Sequence, residues 1–204
     1  MSKEQDNKLV LYKPNKIGMN IEKIEKPENS DKGTCTKITS VWSNFTYYDK
    51  EGIIWVDSEK LHLILRTTKS NAKYAIVNID DKNKSREGNK IYIRAYVVGE
   101  IIDKYIQREK IGKRKEYLKY SERVYTAIRD SEEIVIKQTK YQISRDEDRR
   151  KLKNRRIKKY NIEYDELTGE GIKKNTAEFA HIKSYALFRE VANDIENELE
   201  YKLV

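Results

Sequence analysis

Few side chains in this sequence are suited to chemistry: two histidines, His62 and His181, and a single cysteine, Cys35. An imidazole changes charge near neutral pH, so it can take a proton from water or a hydroxyl. His62 stands inside the apolar run Leu61-His62-Leu63-Ile64-Leu65, where a packed structural histidine is expected. His181 stands at the end of a short strand expected over Thr176–Ile182, before a polar turn, a place from which a side chain projects into a groove. One cysteine excludes an internal disulfide framework and a zinc site built from cysteines. The sequence has no phosphate-cradling glycine loop, no serine elbow and no Cys/His pair at informative spacing.

The charge is more informative. The chain of 204 residues carries a formal +9. From Lys104 to Arg129 nine Lys/Arg face three Glu, and from Arg145 to Tyr160 nine Lys/Arg face three Asp/Glu. Each segment is +6, so the remainder sums to 9 − 12 = −3. A positive field focused in this way attracts polyanions by releasing their counterions, without base-specific contact. A solvated, lysine-rich surface produced by AT-rich codon usage is the bland alternative. The expected nucleic-acid contacts are Lys113, Arg114, Lys115, Lys119, Arg149, Arg150, Lys153, Arg155 and Arg156.

Towards the C-terminus, Glu166-Leu167-Thr168-Gly169, then Ala177-Glu178-Phe179-Ala180-His181-Ile182-Lys183-Ser184-Tyr185, and then Asn197 form a recognisable series. It resembles the ββα-metal core of HNH endonucleases, in the restriction-enzyme-like branch with a Thr-Gly turn and an Ala-His-Ile strand end. The resemblance covers roughly residues 144–204. It implies phosphodiester hydrolysis with one divalent metal, Mg²⁺ or Mn²⁺. His181 would be the general base, Asn197 would orient the histidine-bearing loop, and Lys183 would contact phosphate. The family's final ligand has no match, because Glu198 to Val204 contains no histidine. Ala180 also occupies a position where many relatives place a metal-binding Asp or His. The ligand set therefore stays unknown. Asp194 and Glu178 are candidates from elsewhere, and a core that binds without cutting and a truncated chain are the other readings.

Positioning these groups calls for an α+β fold: an N-terminal antiparallel β-sheet, a basic helical middle and a C-terminal ββα, HNH-like element. Residues 1–35, broken by Pro14 and Pro27, read as a flexible lead-in. Residues 36–130 read as a β-rich domain with following helices. Strands are expected at Ile53–Val56, Leu61–Leu65, Tyr74–Ile79 and Ile91–Val98, with Asp80–Asn89 as a hairpin loop. Helical spacing follows at Ile101 to Ile106 and Tyr117 to Ile128, interrupted at Gly112. Residues 131–204 read as a strand over Glu133–Ile143, a basic helix opened by the capping box Ser144-Arg145-Asp146-Glu147, and the HNH-like element. A short strand over Thr176–Ile182 and a terminal helix carrying Leu187, Val191, Ile195 and Leu199 complete it.

The lysines of residues 1–8 have no apolar stretch behind them, and no apolar run approaches the roughly 18 residues of a membrane span. A cytoplasmic protein with DNA or RNA as partner, or a protein–nucleic-acid complex, and no membrane is expected. The leading function is an HNH-type DNA endonuclease or a degenerate derivative, from a phage, mobile element or restriction system. The alternative is a non-catalytic nucleic-acid-binding or inhibitory protein, for example a phage inhibitor of a nucleic-acid-guided nuclease of the anti-CRISPR type. A third reading is an interaction module for acidic proteins.

Overall fold

The computed structural model describes residues 11, 24–28, 30–108, 112–165 and 168–173, with two further strands at Phe179–His181 and Tyr201–Leu203. The fold is α+β, with a four-stranded antiparallel sheet and six α-helices among the described residues. The chain divides into two compact units, Met1–Tyr141 and Gln142–Val204.

In the first unit, the Asp31 carboxylate accepts from the Thr34 amide and starts α1 (Lys32–Phe45), satisfying one of the orphan donors of a helix N-terminus. Cys35, Ile38, Val41 and Trp42 recur on the buried face of α1. The chain passes directly into a hairpin of β1 (Thr46–Tyr48) and β2 (Ile54–Asp57), with Tyr47 opposite Trp55. Its turn is organised by the buried Asp49. That carboxylate accepts from the amides of Glu51 and Ile53 and from the Trp55 indole, each at 2.9 Å. Asp49→Ala orphans three donors at once, and an expected loss of about 2–4 kcal/mol should appear in denaturant unfolding. A loss under about 0.5 kcal/mol would mean that water replaces the carboxylate there.

After β2 come α2 (Leu61–Ile64), α3 (Lys69–Val77), β3 (Lys84–Glu87), β4 (Lys90–Arg94), α4 (Ala95–Ile106), α5 (Arg114–Arg129) and α6 (Glu132–Tyr160). The sheet order is β1-β2-β4-β3, antiparallel throughout. Trp42 lies at the centre of the core. It is fully buried, its ring stacks on Tyr125 at 5.7 Å, and its Nε1 donates to the buried Ser121 hydroxyl at 2.9 Å. Helices α4 and α5 approach so closely at Gly99 that a Cβ there would lie 2.9 Å from Tyr125 Cε1.

Several sequence expectations give way to helix, for related reasons. Residues 36–45, read as the start of the β region, belong to α1. The run Leu61–Leu65 is helical: Leu61, Ile64 and Leu65 are fully buried at spacings of three and one, while His62 and Leu63 are half-buried. A five-residue apolar run is too short for its period to separate strand from helix. Burial holds the His62 imidazole below its usual pKa, with the Lys69 and Lys60 charges adding to the effect. Tyr74–Val77 lies in α3, which Thr68 caps by accepting from the Asn71 amide, and Asn78 closes it. The apolar character there misleads because Tyr74 and Val77 are 74% and 75% exposed. The run from Ile91 to Val98 changes period at Ala95, where β4 becomes α4 with Ala95, Val98, Ile102 and Ile106 buried. The expected loop Asp80–Asn89 contains β3, and the turn shrinks to Gly88-Asn89, with Glu87 opposite Lys90.

Residues 133–143 are not a strand but the beginning of α6, which runs unbroken for 29 residues. Within this stretch Ile134 is buried and Tyr141 half-buried, while Val135, Ile136 and Ile143 stay exposed. Tyr48 Oη donates to Glu133 Oε1 at 2.7 Å, and Gln138 Nε2 donates to the Gly52 carbonyl at 3.0 Å. Gly52 has φ +78°, and a Cβ on it would lie 2.8 Å from Gln138 Cγ, so the docked turn needs glycine twice over. These contacts set the start of α6 well before Ser144. Ser144-Arg145-Asp146-Glu147 is therefore helix interior, not a capping box.

In the second unit α6 ends at Tyr160, and Asn161 follows with φ +48°. A tight antiparallel turn then bridges Tyr164 and Gly171. Asp165 Oδ1 accepts from the Thr168 amide at 2.8 Å, and Gly169, at φ +77°, donates to the Asp165 carbonyl. Strands β5 (Phe179–His181) and β6 (Tyr201–Leu203) pair antiparallel. The expected terminal helix over Leu187–Leu199 lies outside the described residues. No helix among the described residues is long and apolar enough to cross a membrane.

Candidate nucleic-acid interface

The second half of α6 carries the densest positive charge, and several of its exposed residues share one arc, although the exposed Arg149 lies among half-buried neighbours. Ile157 is buried, and Arg145, Leu152, Lys153 and Arg156 are half-buried. Arg150, Lys151, Asn154, Arg155 and Lys158 are exposed. At 100° per residue these five fall within an arc of about 140°, which also carries the exposed Glu147 one turn before Lys151. Lys151 makes an ion pair with Asp148 at 3.5 Å, a surface contact of the kind that contributes little. Lys158 and Lys159 sit in the last turn, where the helix dipole favours cations.

This division refines the expected contacts. Arg150 and Arg155 lie on the exposed arc, and Arg149 is exposed but points about 100° away from Arg150. Lys153 and Arg156 face the more buried side, where the Arg156 guanidinium stacks on Tyr160 at 5.4 Å. Lys151 and Lys158 were missed. The signal was available as the helical spacing 150, 151, 155, 158, but it becomes readable only once the helix is known to be continuous.

In the first unit Lys113 is exposed just before α5, and Lys115 and Lys119 lie on the outer side of that helix. Glu116 and Glu122 interleave with them, and Lys119 pairs with Glu116 at 3.4 Å. The outer side of α5 thus carries both signs, with Arg123 and Arg129 also exposed on the helix. Arg114 turns inward. Its Nη2 donates to the Leu65 carbonyl at 2.9 Å, and its guanidinium packs 4.8 Å from the Tyr105 ring centre.

A groove of about 570 Å³ opens beside Arg114, between α3 and α4. Arg108 and Lys104 line the same groove, and the Arg108 guanidinium lies 4.6 Å from the same Tyr105 ring. Burial holds Arg114 below the usual arginine pKa. Tyr105 opposes that shift, and the nearby Arg108 and Arg66 charges reinforce it.

Of the residues in the HNH-like series, the described structure includes Thr168 and Gly169 in the tight turn and the strand Phe179–His181, with His181 opposite Tyr201. Glu166, Leu167, Ala177, Glu178, Lys183, Asp194 and Asn197 lie outside the described residues. Among the described residues no three His, Cys, Asp or Glu side chains gather as a metal ligand set. No family model, characterised protein or solved structure matches the chain.

Proposed function

We propose that the chain is a cytoplasmic protein that binds DNA or RNA along the exposed basic arc of α6, and that its C-terminal segment is an HNH-type endonuclease core or a derivative of one. The supporting observation is the placement of Arg150, Lys151, Arg155 and Lys158 on the exposed side of one continuous helix. A rigid row of cations at helical spacing displaces condensed counterions from a phosphate backbone with little ordering cost of its own. The endonuclease part rests on the residue series around His181, and a divalent ion, Mg²⁺ or Mn²⁺, belongs to that part of the proposal. The non-catalytic reading, an inhibitor of a nucleic-acid-guided nuclease among its forms, rests on the same arc, which supplies affinity and no reacting group.

Two assays on the intact chain test this reading. Gel shifts with duplex DNA and RNA at about 50 mM salt should show binding that weakens steeply as salt rises; no shift with either polymer would refute nucleic-acid binding. Supercoiled plasmid incubated with a panel of divalent metals should be nicked, and His181→Ala should lower the rate by at least about 100-fold, the usual contribution of a general base. Intact plasmid under every metal, with binding retained, would leave the non-catalytic reading in place.

A further inference from the structure

We infer that the groove between α3 and α4 is a site for an unpaired nucleotide, with its phosphate held at the Arg108–Arg114 end and its base laid against Tyr74. This goes beyond the α6 surface, since it concerns the other unit and a different form of the ligand.

The groove is polarised. Arg114 is tied to Leu65, just before α3, and Arg108 lies beyond the last turn of α4, so both guanidiniums mark the end where α3 begins and α4 finishes. Both pack on the one Tyr105 ring. Among the described residues no carboxylate forms an ion pair with Arg66, Arg108 or Arg114. Arg114 Nε is buried without a hydrogen-bond partner, and so is Arg66 Nε. Three like charges this close repel one another, and buried N–H donors left unpaired cost free energy. An anion at this end offsets the repulsion between Arg108 and Arg114, and a phosphate matches the planar fork of a guanidinium better than a chloride does.

The opposite end of the groove is lined by Asp80 and Glu100, acceptors suited to the amino groups of a base. Between the two ends Tyr74, from the exposed side of α3, presents a ring that the core does not use. An exposed aromatic beside paired arginines is the arrangement by which proteins stack single-stranded bases. From Val97 to its end at Ile106 the α4 wall runs roughly 14 Å at 1.5 Å per residue, enough for a nucleotide.

The ligand has two sources, a free nucleotide and a nucleotide within a strand. Isothermal titration calorimetry of the whole chain separates them, using adenosine monophosphate, inorganic phosphate and a single-stranded oligonucleotide of on the order of 12 residues. Both nucleotide ligands should bind more tightly than inorganic phosphate, and a strand tighter than the monophosphate assigns the site to single strands. Arg108→Glu should weaken strand binding by at least about 10-fold and reduce the salt slope by about 0.7. Tyr74→Ala should weaken it roughly 5-fold to 100-fold while leaving inorganic phosphate unaffected. Both changed residues are exposed, so the folded chain survives. The inference is overturned if neither variant changes strand binding, or if phosphate alone binds as tightly as the nucleotide. Duplex gel shifts with the same two variants keep the outcomes apart. Duplex binding that persists while the groove variants have no effect removes the groove and spares α6. Lost duplex binding with intact monophosphate binding does the reverse.

Discussion

Replacing Arg150, Lys151, Arg155 and Lys158 together with glutamine is expected to flatten the dependence of duplex affinity on salt more than any other change of four residues. Each phosphate contact contributes about 0.9 to the logarithmic salt slope, so loss of all four predicts a fall of up to about 3.6. At low salt this amounts to a loss of several powers of ten in affinity, and glutamine preserves the helix because its propensity is close to that of arginine and lysine. The control is Lys153→Gln with Arg156→Gln. These residues are half-buried on the opposite side, so their removal should leave the slope within about one contact of the wild type while lowering stability. Gel shifts over a salt series measure both. Equal slopes for the two variants would show that charge acts as a diffuse cloud around α6 and not through one side of it.

The second large effect is on folding. Trp42→Ala should cost about 3–5 kcal/mol, the usual range for truncating a buried large aromatic side chain. Two further losses accompany the cavity: the stacking on Tyr125 and the hydrogen bond to Ser121, which is left as a buried hydroxyl. Scanning calorimetry should show a fall in Tm of more than about 10 °C. Ser121→Ala removes the hydroxyl and keeps the ring, and about 1 kcal/mol is expected from it. A Trp42→Ala protein melting within about 2 °C of the wild type would place the centre of the core elsewhere.

What the sequence made legible follows from the length of each pattern. The helical spacing expected over Ile101–Ile106 and Tyr117–Ile128 falls inside α4 and α5, although α4 begins earlier, at Ala95, in a run expected as strand. The strand at Ile54–Asp57 is legible because its hydrophobic residues sit beside an Asp-Lys-Glu-Gly turn. Short apolar runs misled. Leu61–Leu65 and Tyr74–Ile79 have the composition of strands, but tertiary context decides their state: the first buries a helical triplet and the second turns its aromatic outward. The α6 charges were legible as a count and not as a surface, since their common arc appears only when residues 133–160 are read as one continuous helix. The groove left almost no trace in the sequence. It joins residues from before α3 to the start of α5, and only the inward turn of Arg114 brings them together.

The two tryptophans of the chain have an optical consequence. Trp42 and Trp55 both belong to the first compact unit, both are buried, and both indoles donate to a buried side chain. Emission excited at the indole band therefore follows that unit alone, and loss of order after Tyr141 is silent to it. Far-ultraviolet ellipticity sees the whole of α6. A gap between the two melting curves would measure how independently the Gln142–Val204 segment comes apart.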